Sequence, residues 1–362
     1  MSLSISLKAY LLRILTRKNK SKFDLNNSKK ILFLRYDRIG DMVITTPVFR
    51  ELKLFFPEIK ISVLASNANR SVLTNNPYVE DVYVNHKNNF FRDLKTLFIL
   101  RQKNFDACIE FDHSVIPHAI LRLKIINPKT VISVYKKGRY GVKGEELMLY
   151  DFFTKKRSES HFRDIWLDTL SPFGIEPKSN QYDLFCTDLQ KQAAYSYVSK
   201  FHDKLLIGIN LEGAVKGKKI EFNDLEEICQ RLFYVHNNVQ VIILSAPNNF
   251  KRVGKMIRKM DLDYVEQSFK TNTILDLAAV IDNLDLIISP DTSVIHIAST
   301  YNKPIVTIHE NNLHSYKLFA PTSKLSRTVF SKSKNSLNGF SVNELIAYCL
   351  EIIKIQKEKD YE

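Results

Sequence analysis

Short, continuously apolar runs along this chain are separated by longer stretches in which apolar residues recur every three or four positions. The runs Ile31 to Arg35, Ile59 to Ala65, Val79 to Val84 and Phe105 to Phe111 predict strands. The intervening stretches Met42 to Phe56 (ended by Pro57), Arg70 to Asn75 and Phe91 to Gln102 predict helices. Strands apolar on both faces, joined by amphipathic helices, predict a parallel sheet covered on both sides.

The segment from about Ser133 to Gln181 is less regular and richer in charge, which suits loops that shape a pocket. Alternation then resumes. Strands are expected at Leu205 to Asn210, Val239 to Ser245, Tyr264 to Gln267, Leu286 to Ser289 and Pro304 to Ile308. Helices are expected at Asp224 to Val235, Phe250 to Met260, Ile274 to Asn283 and Thr292 to Tyr301. This is a second doubly wound unit. A chain of 362 residues also exceeds what one hydrophobic core usually serves. The expected division is an N-terminal extension at 1–27, a first Rossmann-like domain at 28–186 and a second at 187–335. A C-terminal segment at 336–362 follows, whose amphipathic run Val342 to Gln356 is expected to pack back on the first domain.

Composition is that of an ordinary globular protein, 44% apolar and 25% charged, but the formal charge is +14. Half of that excess lies in residues 1–30, where Lys8, Arg13, Arg17, Lys18, Lys20, Lys22, Lys29 and Lys30 face a single acid, Asp24. Leu3, Leu7, Leu11, Ile14 and Leu15 fall at helical spacing with Lys8, Arg13 and Arg17 off that stripe. Such a helix suits an anionic membrane interface; the alternative is a helix packed on the protein's own body. No apolar run approaches the roughly 18–20 residues that span a bilayer, and no small-residue cleavage site follows the extension. Cys108, Cys186, Cys229 and Cys349 are far apart and form neither a zinc-type pair nor a disulfide framework. A cytoplasmic protein, peripheral on the inner membrane, is therefore expected. Nucleic acid is not an expected partner, because the basic cluster lacks interleaved aromatics on a strand surface.

Two strand-to-helix junctions carry the candidate chemistry. Ser289-Pro290-Asp291-Thr292-Ser293 joins an apolar strand to a helix that also bears His296. Such a junction offers unpaired amides and a positive dipole end, a ready site for phosphate. The second junction runs from Ile31-Leu32-Phe33-Leu34 through Arg35-Tyr36-Asp37-Arg38-Ile39 into Gly40-Asp41. Asp41 there is a helix cap or a carboxylate facing a ligand crevice.

Together these junctions resemble glycosyltransferase family 9, the lipopolysaccharide heptosyltransferases. The family's N-terminal pattern is matched by Arg35, Gly40, Asp41, Thr46 and Pro47, and its C-terminal pattern by Asp291, Thr292, His296 and Ala298. The resemblance runs from about Lys30 to about Pro304. It implies the α/β GT-B arrangement, two Rossmann-like doubly wound parallel-sheet domains facing a cleft. It also implies an inverting transfer of heptose from ADP-heptose to an anionic glycolipid acceptor, with no cofactor and no metal. Asp41 would be the general base, since an attacking sugar hydroxyl must lose its proton. Arg35, Arg38 and Gly40 would line the acceptor site. Lys218, aligned with the family's diphosphate-binding lysine, would bind the donor with Asp291, Thr292, Ser293 and His296. Lys216 and Lys219 are alternatives to Lys218.

The pattern is not complete. Ser293 stands where the family has glycine, Ile220 where it has tryptophan, and Ser245 to Asn249 replaces a Gly-Gly-Pro stretch and the acid after it. The loop Gly213 to Lys219 is not a P-loop, because only three residues separate its glycines and Lys219 stands where Ser or Thr should hold magnesium. Asp261-Leu262-Asp263 precedes a strand instead of ending one, and His309 to His314 misses the spacing of a helical zinc site. Alternatives to the heptose reading are a family 9 enzyme with another nucleotide sugar or a capsule or protein acceptor, and a non-catalytic nucleotide- or membrane-binding module.

Overall fold

The computed structural model describes residues 3–157, 159–213 and 217–359. The chain divides into two compact units, Met1–Gln181 and Tyr182–Glu362.

The first unit is built on the strands β1 (Lys30–Arg35), β2 (Lys60–Ser66), β3 (Asp81–Asn85), β4 (Ala107–Glu110), β5 (Thr130–Ser133) and β6 (Phe152–Phe153). They form one sheet in the order β3-β2-β1-β4-β5-β6, every neighbour parallel. The helices are α1 (Leu3–Leu15), α2 (Ile39–Phe55), α3 (Phe90–Gln102), α4 (Pro117–Ile126) and α5 (Phe162–Leu167). β1 carries Ile31, Leu32, Phe33 and Leu34, all buried, because helices cover both faces of a parallel sheet. The chain leaves β1 toward β2 on one side and enters β4 on the other, so the carboxyl ends of β1 and β4 form the switch point where such sheets bind ligands.

The first helix after β1 contains Pro47, which cannot donate to the carbonyl of Val43. Thr46 supplies that hydrogen bond instead: its Oγ1 donates to Val43 O at 2.7 Å. The carbonyl that Pro47 leaves without a backbone donor is thus satisfied within α2.

The N-terminal extension is not a separate appendage. Ala9 and Leu12 join the core formed with Ile120, Leu123 and Tyr150, and Thr16 is fully buried. Lys18 Nζ and the Ser21 amide both reach the Asp151 carboxylate, at 3.0 and 2.9 Å. The apolar stripe Leu7, Leu11, Ile14 and Leu15 is exposed.

The second unit repeats the plan with β7 (Leu205–Asn210), β8 (Val239–Leu244), β9 (Val265–Gln267), β10 (Leu286–Pro290), β11 (Ile305–His309) and β12 (Ser326–Phe330). Its order is β12-β11-β10-β7-β8-β9, again all parallel, with the switch point between β7 and β10. Its helices are α6 (Asp188–Val198), α7 (Phe222–Val235), α8 (Phe250–Met260), α9 (Ile274–Asp282), α10 (Ser293–Thr300), α11 (Leu313–Phe319) and α12 (Val342–Lys359). The apolar face of α12, with Leu345, Cys349 and Ile352 fully buried, is spent in the core of the second unit. These contacts place α12 within the second unit.

Candidate functional site

Each unit gathers polar residues at its switch point. In the first, β1 ends in Arg35, which is buried. Its guanidinium lies 3.7 Å from the ring centroid of Trp166, the chain's single tryptophan, and 5.0 Å from that of Phe111. A flat guanidinium stacks well on such faces. Its Nη1 is 3.0 Å from Asp37 Oδ2, its Nε donates to Asp41 O at 3.3 Å, and its Nη2 lies 3.9 Å from Asp41 Oδ1. Nη2 has no hydrogen-bond partner among the described residues. A buried guanidinium with a spare donor is suited to hold an anionic or hydroxyl-rich ligand.

Asp41 sits in the first turn of α2, and its Oδ2 accepts from the Arg38 amide at 3.3 Å. It therefore caps the helix, yet its side chain keeps 15% of its surface and stays reachable. The Arg38 side chain is exposed, while Gly40 is buried in the turn. Asp37 keeps 41% of its side-chain surface but is hemmed in by protein; burial and Asp41 hold its carboxyl above the ordinary value, against the pull of Arg35.

Three groups here escape sequence reasoning. Buried Asn69 donates to Arg35 O at 2.9 Å and accepts from the Ser66 amide at 2.8 Å, pinning the β1–α2 turn. Trp166, from the segment expected to shape a pocket, carries Arg35 and donates to His113 Nε2 at 3.1 Å. Burial and the Arg35 charge drive His113 down to about 3, so it stays a neutral acceptor. At the end of β4, Glu110 forms a fully buried ion pair with Lys136 at 2.5 Å. Burial and the adjacent Glu110 push Asp112 up to about 8. None of these has a local sequence signal, because each depends on strands far apart in the chain.

In the second unit, Lys218 lies at the centre. Gly213 and Gly217 fold its loop back: the Gly213 amide donates to Lys218 O at 2.6 Å, and a Cβ on Gly213 would collide with that same oxygen. Gly217 has φ +93°, a conformation side chains disfavour. The returning strand of the loop directs Lys218 Nζ to Asp291 Oδ2 at 2.9 Å and Glu310 Oε1 at 3.3 Å. Lys219 instead pairs with Glu221 at the exposed surface, and Lys216 lies outside the described residues.

Burial works against the Lys218 ammonium, but Asp291 and Glu310 outweigh it and hold the lysine above its ordinary value. Burial likewise works against the Asp291 carboxylate, but the fields of His309 and Lys218 and the Lys218 hydrogen bond hold it low. Burial drives His309 itself down to about 4. At neutral pH His309 is therefore uncharged, and Lys218 is the group that holds Asp291.

Thr292 caps α10, its Oγ1 accepting from the Val294 amide at 3.1 Å. Buried Asn210, the last residue of β7, donates to Thr292 Oγ1 at 3.1 Å and Ser289 Oγ at 3.0 Å, locking the cap across the switch point. Ser293 opens the helix, half-buried. His296 is buried one turn further, between the rings of Tyr182 and Phe319 and within the field of Asp291. Asn210 and Glu310 are the residues sequence reasoning missed here. A polar residue closing an apolar strand was the available sign for both. Glu310 lay inside the His309 to His314 stretch, weighed only as a metal motif.

Asp261 is the left-handed C-cap of α8, a turn position and not a ligand pair with Asp263. No group of three or more His, Cys, Asp or Glu among the described residues is placed to hold a metal ion.

Two parallel-sheet units of the same strand order, each with its polar cluster at the switch point, are the two Rossmann-like halves of the GT-B fold. Residues 97–343 match the model of glycosyltransferase family 9 (heptosyltransferase), and the chain belongs to that family. It is 22% identical to the lipopolysaccharide core heptosyltransferase OpsX of Haemophilus influenzae, covering 86% of this chain and 87% of that protein. Its fold is similar to a family 9 glycosyltransferase from Veillonella parvula, with a TM-score of 0.74 and 17% identity over 92% of this chain and 99% of that one. It is similar, too, to E. coli ADP-heptose lps heptosyltransferase II, with a TM-score of 0.70 and 16% identity over 91% and 99% of the two chains.

Proposed function

We propose that this glycosyltransferase moves a heptose from ADP-heptose, with inversion and without a metal, onto a lipopolysaccharide core or a similar anionic lipid-linked glycan. The observation that carries the reading is Lys218, aimed by a two-glycine loop at the start of α10. There an ammonium and a helix N-terminus, acting together, suit a diphosphate.

In this reading Asp41 accepts the proton of the attacking acceptor hydroxyl as the bond to the anomeric carbon forms. The bond from that carbon to the diphosphate breaks, and ADP leaves with its charge balanced by Lys218 and the first amides of α10. Thr292 and Ser293 shape that turn, Asp291 aims Lys218, and His296 backs the donor site. Arg35, with its spare donor, and Arg38 and Gly40 beside it take the acceptor. The relatives' printed substrates, lipopolysaccharide core and ADP-heptose, support the choice of donor and acceptor. No described helix is long and apolar enough to cross a membrane. In this reading a lipid-linked acceptor is met peripherally, at the cytoplasmic face of the inner membrane.

Thermal shift against a panel of nucleotide sugars tests this. A ligand at a hundred times its dissociation constant stabilises the fold by about 2.7 kcal/mol. ADP-heptose should raise the midpoint more than uridine or guanosine sugars do. A shift with one of those and none with ADP-heptose would replace the donor; no shift with any nucleotide would favour a non-catalytic module.

A further inference from the structure

The apolar residues of α1 divide between two faces. Ala9, Leu12 and Thr16 are buried against the first unit, where α1 packs on α4. The opposite face leaves Leu7 59%, Tyr10 60%, Leu11 48%, Ile14 39% and Leu15 48% exposed. A soluble helix normally turns polar residues outward, and contiguous exposed apolar side chains mark a docking surface.

Charge identifies the occupant. Lys8, Arg13, Arg17, Lys20 and Lys22 are exposed on the same extension, and the only acid in residues 1–30 is Asp24. Arg13 is paired with Glu146, and Lys8 lies over the Tyr140 ring at 5.6 Å; Arg17, Lys20 and Lys22 remain turned to solvent. A second copy of the chain would bring these cations against themselves. An anionic lipid surface would meet them with headgroups while taking the apolar stripe into its boundary.

We infer that the outer face of α1 is a membrane-docking surface for anionic lipid, with Leu7, Tyr10, Leu11, Ile14 and Leu15 as its insertion stripe. This deepens the reading of a lipid-linked acceptor and names the part of the first unit that meets the bilayer. The helix does not need to leave the protein to bind, since its inner seam stays packed.

The full chain and the variant Leu11→Glu/Leu15→Glu are compared by co-sedimentation with vesicles of phosphatidylcholine alone or with phosphatidylglycerol added. Both positions are exposed, so the variant should keep the wild-type melting midpoint. The wild type should bind only the phosphatidylglycerol vesicles, with affinity falling as salt rises. The variant should bind at least about tenfold more weakly, by the loss of two inserted side chains. Equal binding by the two proteins overturns the inference. So does a wild-type dimer in sedimentation velocity that the variant makes monomeric without vesicle binding, which would assign the stripe to a second copy. Heptose transfer to a soluble, delipidated acceptor is measured alongside. Its absence in the wild type would defeat the proposed reaction and leave the vesicle result to decide the surface.

Discussion

Lys218 Nζ lies 2.9 Å from Asp291 Oδ2 and 3.3 Å from Glu310 Oε1, so one ammonium is shared by two carboxylates. Both contacts are in place before any donor arrives. A diphosphate must then win the lysine from an acid instead of finding it free.

Two variants separate the partners. Lys218→Ala should weaken ADP by about tenfold to a hundredfold, the value of a charged hydrogen bond, while adenosine is scarcely affected. Glu310→Gln removes a competitor for the same ammonium and should tighten ADP about fivefold, an effect of about 1 kcal/mol. Titration calorimetry of ADP and adenosine against both variants reads these directly. Parallel losses for nucleoside and diphosphate in Lys218→Ala would remove the lysine from the phosphate site.

The cap that Asp41 forms and the base that it is proposed to be can be told apart. Asp41→Asn keeps a side-chain oxygen to accept from the Arg38 amide, so the cap should survive with little change in melting. Turnover should nevertheless fall roughly 10²–10⁴-fold, because the base is lost. Steady-state kinetics on folded protein, with ADP affinity as control, would contradict the assignment if turnover were unchanged.

His309 gives a pH dependence with a defined sign. Its folded value is about 4 against an ordinary 6.5, so the unfolded chain binds the proton first on acidification. The stability this neutral histidine contributes is complete above pH 6.5 and is lost as pH falls toward 4, by about 3 kcal/mol in all. Melting curves of wild type and His309→Asn should therefore converge, or cross, between pH 6.5 and 4. Parallel curves would show that the ring titrates normally despite Asp291 and Lys218 beside it.

The extension is part of the first unit, so removing it is not neutral. Deleting residues 1–27 takes Ala9, Leu12 and Leu25 out of the core and the Lys18 and Ser21 bonds from Asp151. Loss of several buried apolar side chains should lower the melting midpoint well below that of the exposed-face variant. A truncated chain as stable as the full one would show the packing of α1 to be incidental.

What could be read from the sequence follows from which signals are local. Buried parallel strands such as Ile31 to Leu34 and Val239 to Leu244 announce themselves as apolar runs, and so does the doubling of the fold. β5 and β6 are only four and two residues long and lie beside charged loops, so no such run marks them. The stripe on α1 was read as one face, whereas Ala9 and Thr16, too small or polar to register, form the packed seam. The same division holds for the sites. Asp41, Lys218 and Asp291 stand at strand-to-helix junctions visible in the sequence. Trp166 under Arg35, Asn210 against Thr292 and Glu310 on Lys218 are contacts made by distant segments, which only the folded sheets bring together.

The most direct measurement is the product itself. The purified chain is incubated with ADP-heptose and a lipopolysaccharide acceptor lacking its outer core sugars, in the presence of EDTA, and the acceptor is analysed by mass spectrometry and by NMR of the new anomeric centre. The account predicts one added heptose, at undiminished rate with the chelator, with configuration inverted relative to the donor. A retained configuration, or an acceptor left unchanged by ADP-heptose but extended by another nucleotide sugar, would contradict it.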